Sequence, residues 1–334
     1  MNERRAQVGI LASMTRCLPT LALVLTALTT LASARDVSEQ PDLLDDIEAP
    51  REPSAAPPPP PRDSVRSDAL PPRPKKLPPA RGKGSRGTPP GIVGVPAGCF
   101  AMGSDSLGAE NTRPRHEVCL SAFRMDRIPV TQREYAQKTL EAPWELCEGY
   151  TCTPPNPDHP AWFVTWFEAD DFCHTRGGRL PTEAEYEYAL RAGDSGAYAW
   201  GDTLERACDH ANLADLTLLK ISRNWRAFPC TDGSALVDVA GLRKANRWGL
   251  HDMNGNVWAW TADWYASDAY AKSVRQDPSG PAIGTGRVIR GGSWITGPDG
   301  AFSFYRDGLA PHHRYFGAVG FRCVYPEKSA PTAP

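Results

Sequence analysis

A sharp break in composition at residue 91 confines the foldable part of this chain to its C-terminal side. Residues 35–90 contain no aromatic residue and few β-branched ones, whereas all ten tryptophans fall between Trp144 and Trp294. A stretch of the first kind cannot bury enough apolar surface to offset the entropy of ordering its backbone. It begins acidic (DVSEQPDLLDDIEAP), passes through Pro57–Pro61 and ends basic (RPKKLPPARGKGSRG). Its prolines favour extended polyproline-II segments, a semi-rigid spacer. A tail that engages a partner through Arg73–Lys76 is the second reading. Residues 91–327 then form one domain large enough for a proper core, and 328–334 a disordered tail.

The N-terminus reads as a secretory leader spanning residues 1–34. Arg4, Arg5 and Arg16 supply positive charge, Leu18–Leu31 is a short apolar run, and Ala32-Ser33-Ala34 is an A-x-A cleavage pattern. The run is shorter than the roughly 20 residues a spanning helix needs. Cleavage after Ala34 is therefore expected, with a retained N-terminal anchor as the alternative. Export would place the domain in the periplasm, on the cell surface or outside the cell, with no membrane span after cleavage. A net charge of −2 gives no reason to expect a nucleic-acid or membrane-surface partner.

Cleavage would also remove Cys17, and nine cysteines less one leaves eight. An even number in an oxidising compartment suits a disulfide framework, though eight cysteines permit about a hundred pairings. Cys147 and Cys152 could close CEGYTC locally, Cys208 and Cys230 flank an insertion-like segment, and Cys99 with Cys119 would join two early strands. A zinc cluster needs closely spaced cysteine or histidine pairs twice over, and only CEGYTC offers one.

Three helices announce themselves by the same device. Thr131 with Glu134, Thr165 with Glu168 and Thr182 with Glu185 have capping-box spacing, in which each side chain satisfies a backbone N–H of the first turn. These glutamates are therefore assigned a structural task rather than a catalytic one. Gly177-Gly178 and Gly193 mark two helix ends. Short runs broken by Gly, Asn and Asp, such as IVGVPAGCFAMGS and GRVIRGGSW, read as short strands between long loops. Trp258, Trp260 and Trp264 read as core.

Seven segments then fall into a known order: GCFAMGS, PRHEVCLSAFRMDRIPVTQREY, GGRLPTEAEYEYALRAG, YAWGD, the NGNVWAW block, RVIRGGSW and GFRCVYP. Over roughly residues 92–326 the chain resembles the formylglycine-generating enzyme, or sulfatase-modifying factor, family. The resemblance implies a loop-rich α+β single domain of the C-type-lectin-like fold, with few helices, short antiparallel strands and disulfide staples, one of them Cys173–Cys323.

Oxidases of that family hold copper through two thiolates placed shortly after the Gly-Gly-Ser turn, and convert a substrate cysteine to formylglycine. Soft sulfur selects Cu(I). Aligned on Gly291-Gly292-Ser293, the two positions hold Thr296 and Ala301, a hard weak donor and no donor, so copper is not expected. Sulfoxide synthases of the family take iron ligands from an additional helical domain, and no His-rich helical segment precedes Gly91.

The resemblance also implies structural calcium. One set is Asn212, the Leu213 carbonyl, Asp232 and the Ser234 carbonyl. A second is Asp252 with the Gly255 and Val257 carbonyls, weakened because Ala259 stands where a glutamate is usual and calcium wants six to eight oxygens. A plain tight turn is the alternative for Asn254-Gly255-Asn256. Ser293, Trp294, Tyr305 and Arg306 are the candidate lining of a binding cleft, a surface ion pair being the other reading of Tyr305-Arg306-Asp307. His312-His313-Arg314 reads as a solvated turn. The expectation is an exported, non-catalytic module that binds a peptide, protein or small molecule. The alternatives are a family enzyme with altered oxidative chemistry on a secreted peptide or metabolite and, last, a true formylglycine-generating oxidase.

Overall fold

The computed structural model describes residues 90–147, 152–222, 226–315 and 318–327. The expected leader, the spacer up to residue 89 and the tail at 328–334 lie outside the described residues. The chain forms β1 (Ile92–Val95), β2 (Gly98–Met102), β3 (His116–Leu120) and β4 (Phe123–Asp126), then α1 (Gln132–Thr139), α2 (Trp166–Thr175), α3 (Glu183–Arg191) and the short α4 (Ala207–His210). A long loop region leads to β5 (Trp258–Trp264), β6 (Arg287–Arg290), β7 (Arg306–Leu309), β8 (Val319–Gly320) and β9 (Val324–Pro326).

These strands make three small sheets. β4 lies between β1 and β9, so the two ends of the domain meet in one sheet, β2 and β3 form a hairpin, and the order β7-β6-β5-β8 makes the third. All pairs are antiparallel except β5 with β8. The result is the disulfide-stapled α+β architecture with few helices that the sequence implies.

All three capping boxes form, with threonine oxygens accepting from the Glu134, Glu168 and Glu185 N–H groups. The same carboxylates at Glu168 and Glu185 carry ion pairs. Glu168 receives Arg314 at 2.8 Å, and Glu185 receives Arg179 at 2.6 and 2.7 Å. α3 ends one residue earlier than its glycine suggests, because Ala192 already takes the left-handed conformation at φ 44°.

Four disulfides hold the loops: Cys99–Cys119, Cys147–Cys152, Cys173–Cys323 and Cys208–Cys230. These are the four expected pairs. Cys99 and Cys119 face each other directly across the β2–β3 ladder. Cys173 and Cys323 are fully buried and tie α2 to the start of β9. The close approach there admits only glycine at 178, since an added Cβ would sit 2.5 Å from the Val324 carbonyl oxygen.

Trp144, Trp162, Trp258, Trp260 and Trp294 share one apolar cluster with that disulfide. A second cluster packs β2, β3 and β4 on α3, every residue of which is buried. Trp264, expected in the core, is instead half-buried at the end of β5. It and Trp166 sandwich the Arg287 guanidinium, at 3.5 and 3.8 Å from the ring centroids, which gives both rings a charged partner.

Candidate functional site

β6 delivers the chain into Gly291-Gly292 with φ of 89° and 76°. A Cβ at Gly291 would lie 2.6 Å from both the Met253 carbonyl and the Tyr186 hydroxyl, so the turn that should precede the two reactive positions is present and glycine-dependent. The segment from Ser293 to Ala301 is built differently from a metal site. The Ser293 N–H donates to Thr296 Oγ1 at 2.9 Å, and the Thr296 N–H returns to the Ser293 carbonyl at 2.9 Å. The Thr296 hydroxyl is thus used to lock its own turn. Ala301 is fully buried against Tyr198, Trp200 and Phe228, and its carbonyl accepts from Asn254 Nδ2 at 3.1 Å. All eight cysteines among the described residues are in disulfides. One hydroxyl committed to the backbone and one methyl in an apolar cluster do not fit a copper ion.

The candidate cleft is closed by the same packing. Ser293 is 0%, Trp294 3% and Arg306 1% exposed, so none of the three lines a cleft. Trp294 belongs to the main apolar cluster, and its backbone N–H donates to the Asn256 carbonyl at 3.2 Å. Tyr305 alone stays half-exposed, with its ring 5.9 Å from that of Trp258. Neither the rim reading nor the surface-pair reading of Arg306 holds. Its guanidinium is held bidentately by Glu183 at 2.7 and 2.7 Å, and lies over the Tyr265 and Tyr270 rings. His312 and His313 are exposed and sit in a turn.

Arg306 belongs to a buried ionic cluster that the sequence reading missed. α3 places Glu183, Glu187 and Arg191 at successive i,i+4 positions on one face. Glu187 accepts from Arg290 at 2.6 Å and from Arg191 at 3.0 Å, and Tyr270 donates to Glu183 at 3.0 Å. Burial pushes Glu183 upward, but Arg306 and Arg290 outweigh it and hold the carboxyl below its ordinary value. Beside it, burial first and the neighbouring Glu183 charge second push Asp263 up to about 8. The available signal was a charged stripe on a helix whose remaining positions are mostly large or apolar.

The two calcium sets differ. Asn212 Oδ1 and Asp232 Oδ2 are both buried without a hydrogen-bond partner, and burial pushes the Asp232 carboxyl up to about 7. Arg243 Nη2 stands 3.8 Å from Asp232 Oδ2, beyond hydrogen-bond reach, so two desolvated oxygens from two loops are left for a hard cation, and Asn212, Leu213, Asp232 and Ser234 fit calcium. The Asp252 set fits less well. Asp252 Oδ2 accepts from the Gly241 N–H at 2.7 Å, Arg322 donates to the Asp252 carbonyl at 2.9 Å, and Ala259 packs in the second apolar cluster. Here the segment is a tight turn, with φ of 48° at Asp252, 75° at Gly255 and 61° at Asn256.

Comparison with known proteins identifies the family. Residues 79–326 match the model of the sulfatase-modifying factor enzyme 1-like domain. A formylglycine-generating enzyme of Streptomyces coelicolor is 30% identical over 74% of this chain and 91% of its own length. The mouse inactive C-alpha-formylglycine-generating enzyme 2 is 28% identical over 64% of this chain and 77% of its own. The solved structure of PvdO from Pseudomonas aeruginosa superposes with a TM-score of 0.58 at 25% identity, covering 70% of this chain and 94% of that one. The ordered motifs, the Gly-Gly-Ser turn and these matches together show that the chain belongs to the sulfatase-modifying factor enzyme 1-like domain family.

Proposed function

We propose that this chain is an exported, non-catalytic member of the family that binds a peptide or small molecule. The observation that carries the reading is the fate of the two thiolate positions. Thr296 is spent on the Ser293 N–H, Ala301 is sealed in an apolar cluster, and the surrounding Ser293 and Trp294 are buried. A relative bearing the name of an inactive enzyme supports loss of chemistry on this scaffold. Four disulfides support an oxidising compartment, and the leader-like segment supports export. Calcium at Asn212, Leu213, Asp232 and Ser234 would tie together the loops on either side of the Cys208–Cys230 bridge, a structural role.

The test offers the purified full chain a Cys-x-Pro-x-Arg peptide with Cu(I) and oxygen, read by mass spectrometry. The peptide cysteine is expected to survive unchanged; formylglycine would overturn the proposal. Export is checked by N-terminal sequencing of the protein from its host, where a start at Arg35 is expected and a retained residue 1–34 segment would count against it.

A further inference from the structure

A cavity of about 710 Å³ lies away from Ser293–Ala301, between the end of β2, the C-terminal end of α3 and the 194–202 loop. One wall is aromatic. The Tyr188 ring stands 5.1 Å from Phe100 and 4.9 Å from Trp248. Arg191, only 8% exposed, lines the cavity from the ionic cluster behind it. Its Nε donates to Glu187 at 3.0 Å and its Nη1 to the Gly196 carbonyl at 3.3 Å, and Nη2 has no hydrogen-bond partner among the described residues. Behind it Glu187 is shared between Arg191 and Arg290, so Arg191 keeps Nη2 for an anion at the cavity's edge.

The mouth carries three carboxylates, Asp105, Asp194 and Asp202, against one exposed cation, Arg115, and Asp194 is taken up by Arg247 at 3.3 Å. Asp105 and Asp202 are exposed, and each uses one oxygen on a backbone N–H, that of Arg115 at 2.8 Å and that of Ala197 at 2.7 Å. Their second oxygens have no partner among the described residues. A simple anion must pass this acidic rim, and a simple cation meets Arg191. A zwitterion satisfies both ends, and its apolar part covers the aromatic wall.

We propose that this cavity is a binding site for an α-amino acid with an aromatic or aliphatic side chain. The carboxylate meets Arg191 Nη2, the ammonium sits between Asp105 and Asp202, and the side chain lies on Tyr188 and Trp248. The volume is in the usual range for small-molecule sites, roughly 300–1,000 Å³. The assignment deepens the binding-module reading and rests on it.

Calorimetric titration of the full chain with L-phenylalanine and L-leucine tests it, with N-acetyl-L-phenylalanine and L-phenylalaninamide as blocked probes. Saturable binding of the free amino acids is expected, weakened about tenfold or more by blocking either end. The Asp105→Asn, Asp202→Asn double variant should lose affinity for phenylalanine by about tenfold while leaving N-acetyl-L-phenylalanine unaffected or tighter. Arg191→Lys removes the open Nη2 and should weaken phenylalanine and the amide-blocked probe unequally, phenylalanine more. Should that buried variant fail to fold, the two exposed mouth positions still decide. No saturable binding of either amino acid, equal affinity for the blocked probes, or an unchanged double variant would each overturn the site. Formylglycine production with amino-acid binding intact would instead overturn only the non-catalytic reading.

Discussion

Arg306 and Glu183 form a bidentate pair, Nε to Oε1 and Nη2 to Oε2 both at 2.7 Å, across 123 residues of sequence. The pair joins the start of β7 to the first turn of α3, at 1% and 4% exposure. Glu183→Gln leaves a buried guanidinium uncompensated and should cost about 3–5 kcal/mol in urea unfolding. Glu183→Gln with Arg306→Met should cost less than the sum of the single changes, because neither charge is then left alone. Single variants with a wild-type midpoint would show that the pair does not hold the domain together. Because Glu183 is held below its ordinary value, its contribution is present above the unfolded carboxylate pKa. It is lost as pH falls through the folded value.

Asp263 works with the opposite sign. Its unfolded carboxyl ionises near the ordinary value of 3.8, whereas burial, and then Glu183, push the folded one up to about 8. Between these values the folded state holds a proton that the unfolded state has released, so stability falls as pH rises from about 4 to about 8 and then levels. Asp263→Asn keeps an acceptor for the Glu183 N–H and removes the titration. The variant should be more stable than wild type at pH 8, with a flatter thermal profile across that window. A parallel profile would mean that Asp263 is ionised in the folded state.

The Cys173–Cys323 bridge closes 150 residues and Cys147–Cys152 only 5. Chain entropy assigns about 5 kcal/mol to the first and about 2 kcal/mol to the second. Replacing the first pair by alanine should therefore lower the melting temperature far more than replacing the second. Equal losses would show that the long bridge is offset by residual structure in the unfolded chain.

What the sequence revealed and what it hid divide along a physical line. Capping boxes, the Gly-Gly-Ser turn and cysteine pairs are local or ordered signals, and each has a backbone consequence that can be read without partners. The fate of Arg306 could not be read that way. An arginine between a tyrosine and an aspartate looks like surface, and only the arrival of α3 from 123 residues away turns it inward. The same holds for Trp294: its neighbour Ser293 suggests a cleft wall, while its backbone N–H is held by the Asn256 carbonyl and its ring lies in the main apolar cluster. The buried oxygens of Asn212 and Asp232 that lack a hydrogen bond lie on separate loops. Family resemblance rather than spacing brought them together.

Those two oxygens make a direct prediction. Calcium added to the chelator-treated full chain should raise the melting temperature, and Asp232→Asn or Asn212→Ala should abolish the shift. Asp252→Asn should leave the calcium response intact, because Asp252 already bonds the Gly241 N–H. A calcium shift that survives loss of Asp232 but not of Asp252 would reverse the assignment.

If the difference from a thiolate copper site is confined to two side chains, supplying both cysteines should create one. Thr296→Cys gives up the hydroxyl bond to the Ser293 N–H, about 1 kcal/mol. Ala301→Cys forces a sulfur among Tyr198, Trp200 and Phe228, about 1–3 kcal/mol of overpacking. The double variant should thus be less stable than wild type, yet bind about one Cu(I) per chain against a competing chelator, where wild type binds none. Copper uptake would mean that the Gly-Gly-Ser turn still presents the two positions as a pair. Failure to bind copper in a folded double variant would mean that the backbone from Gly291 to Ala301 has itself moved away from a metal geometry, a deeper loss than two substitutions.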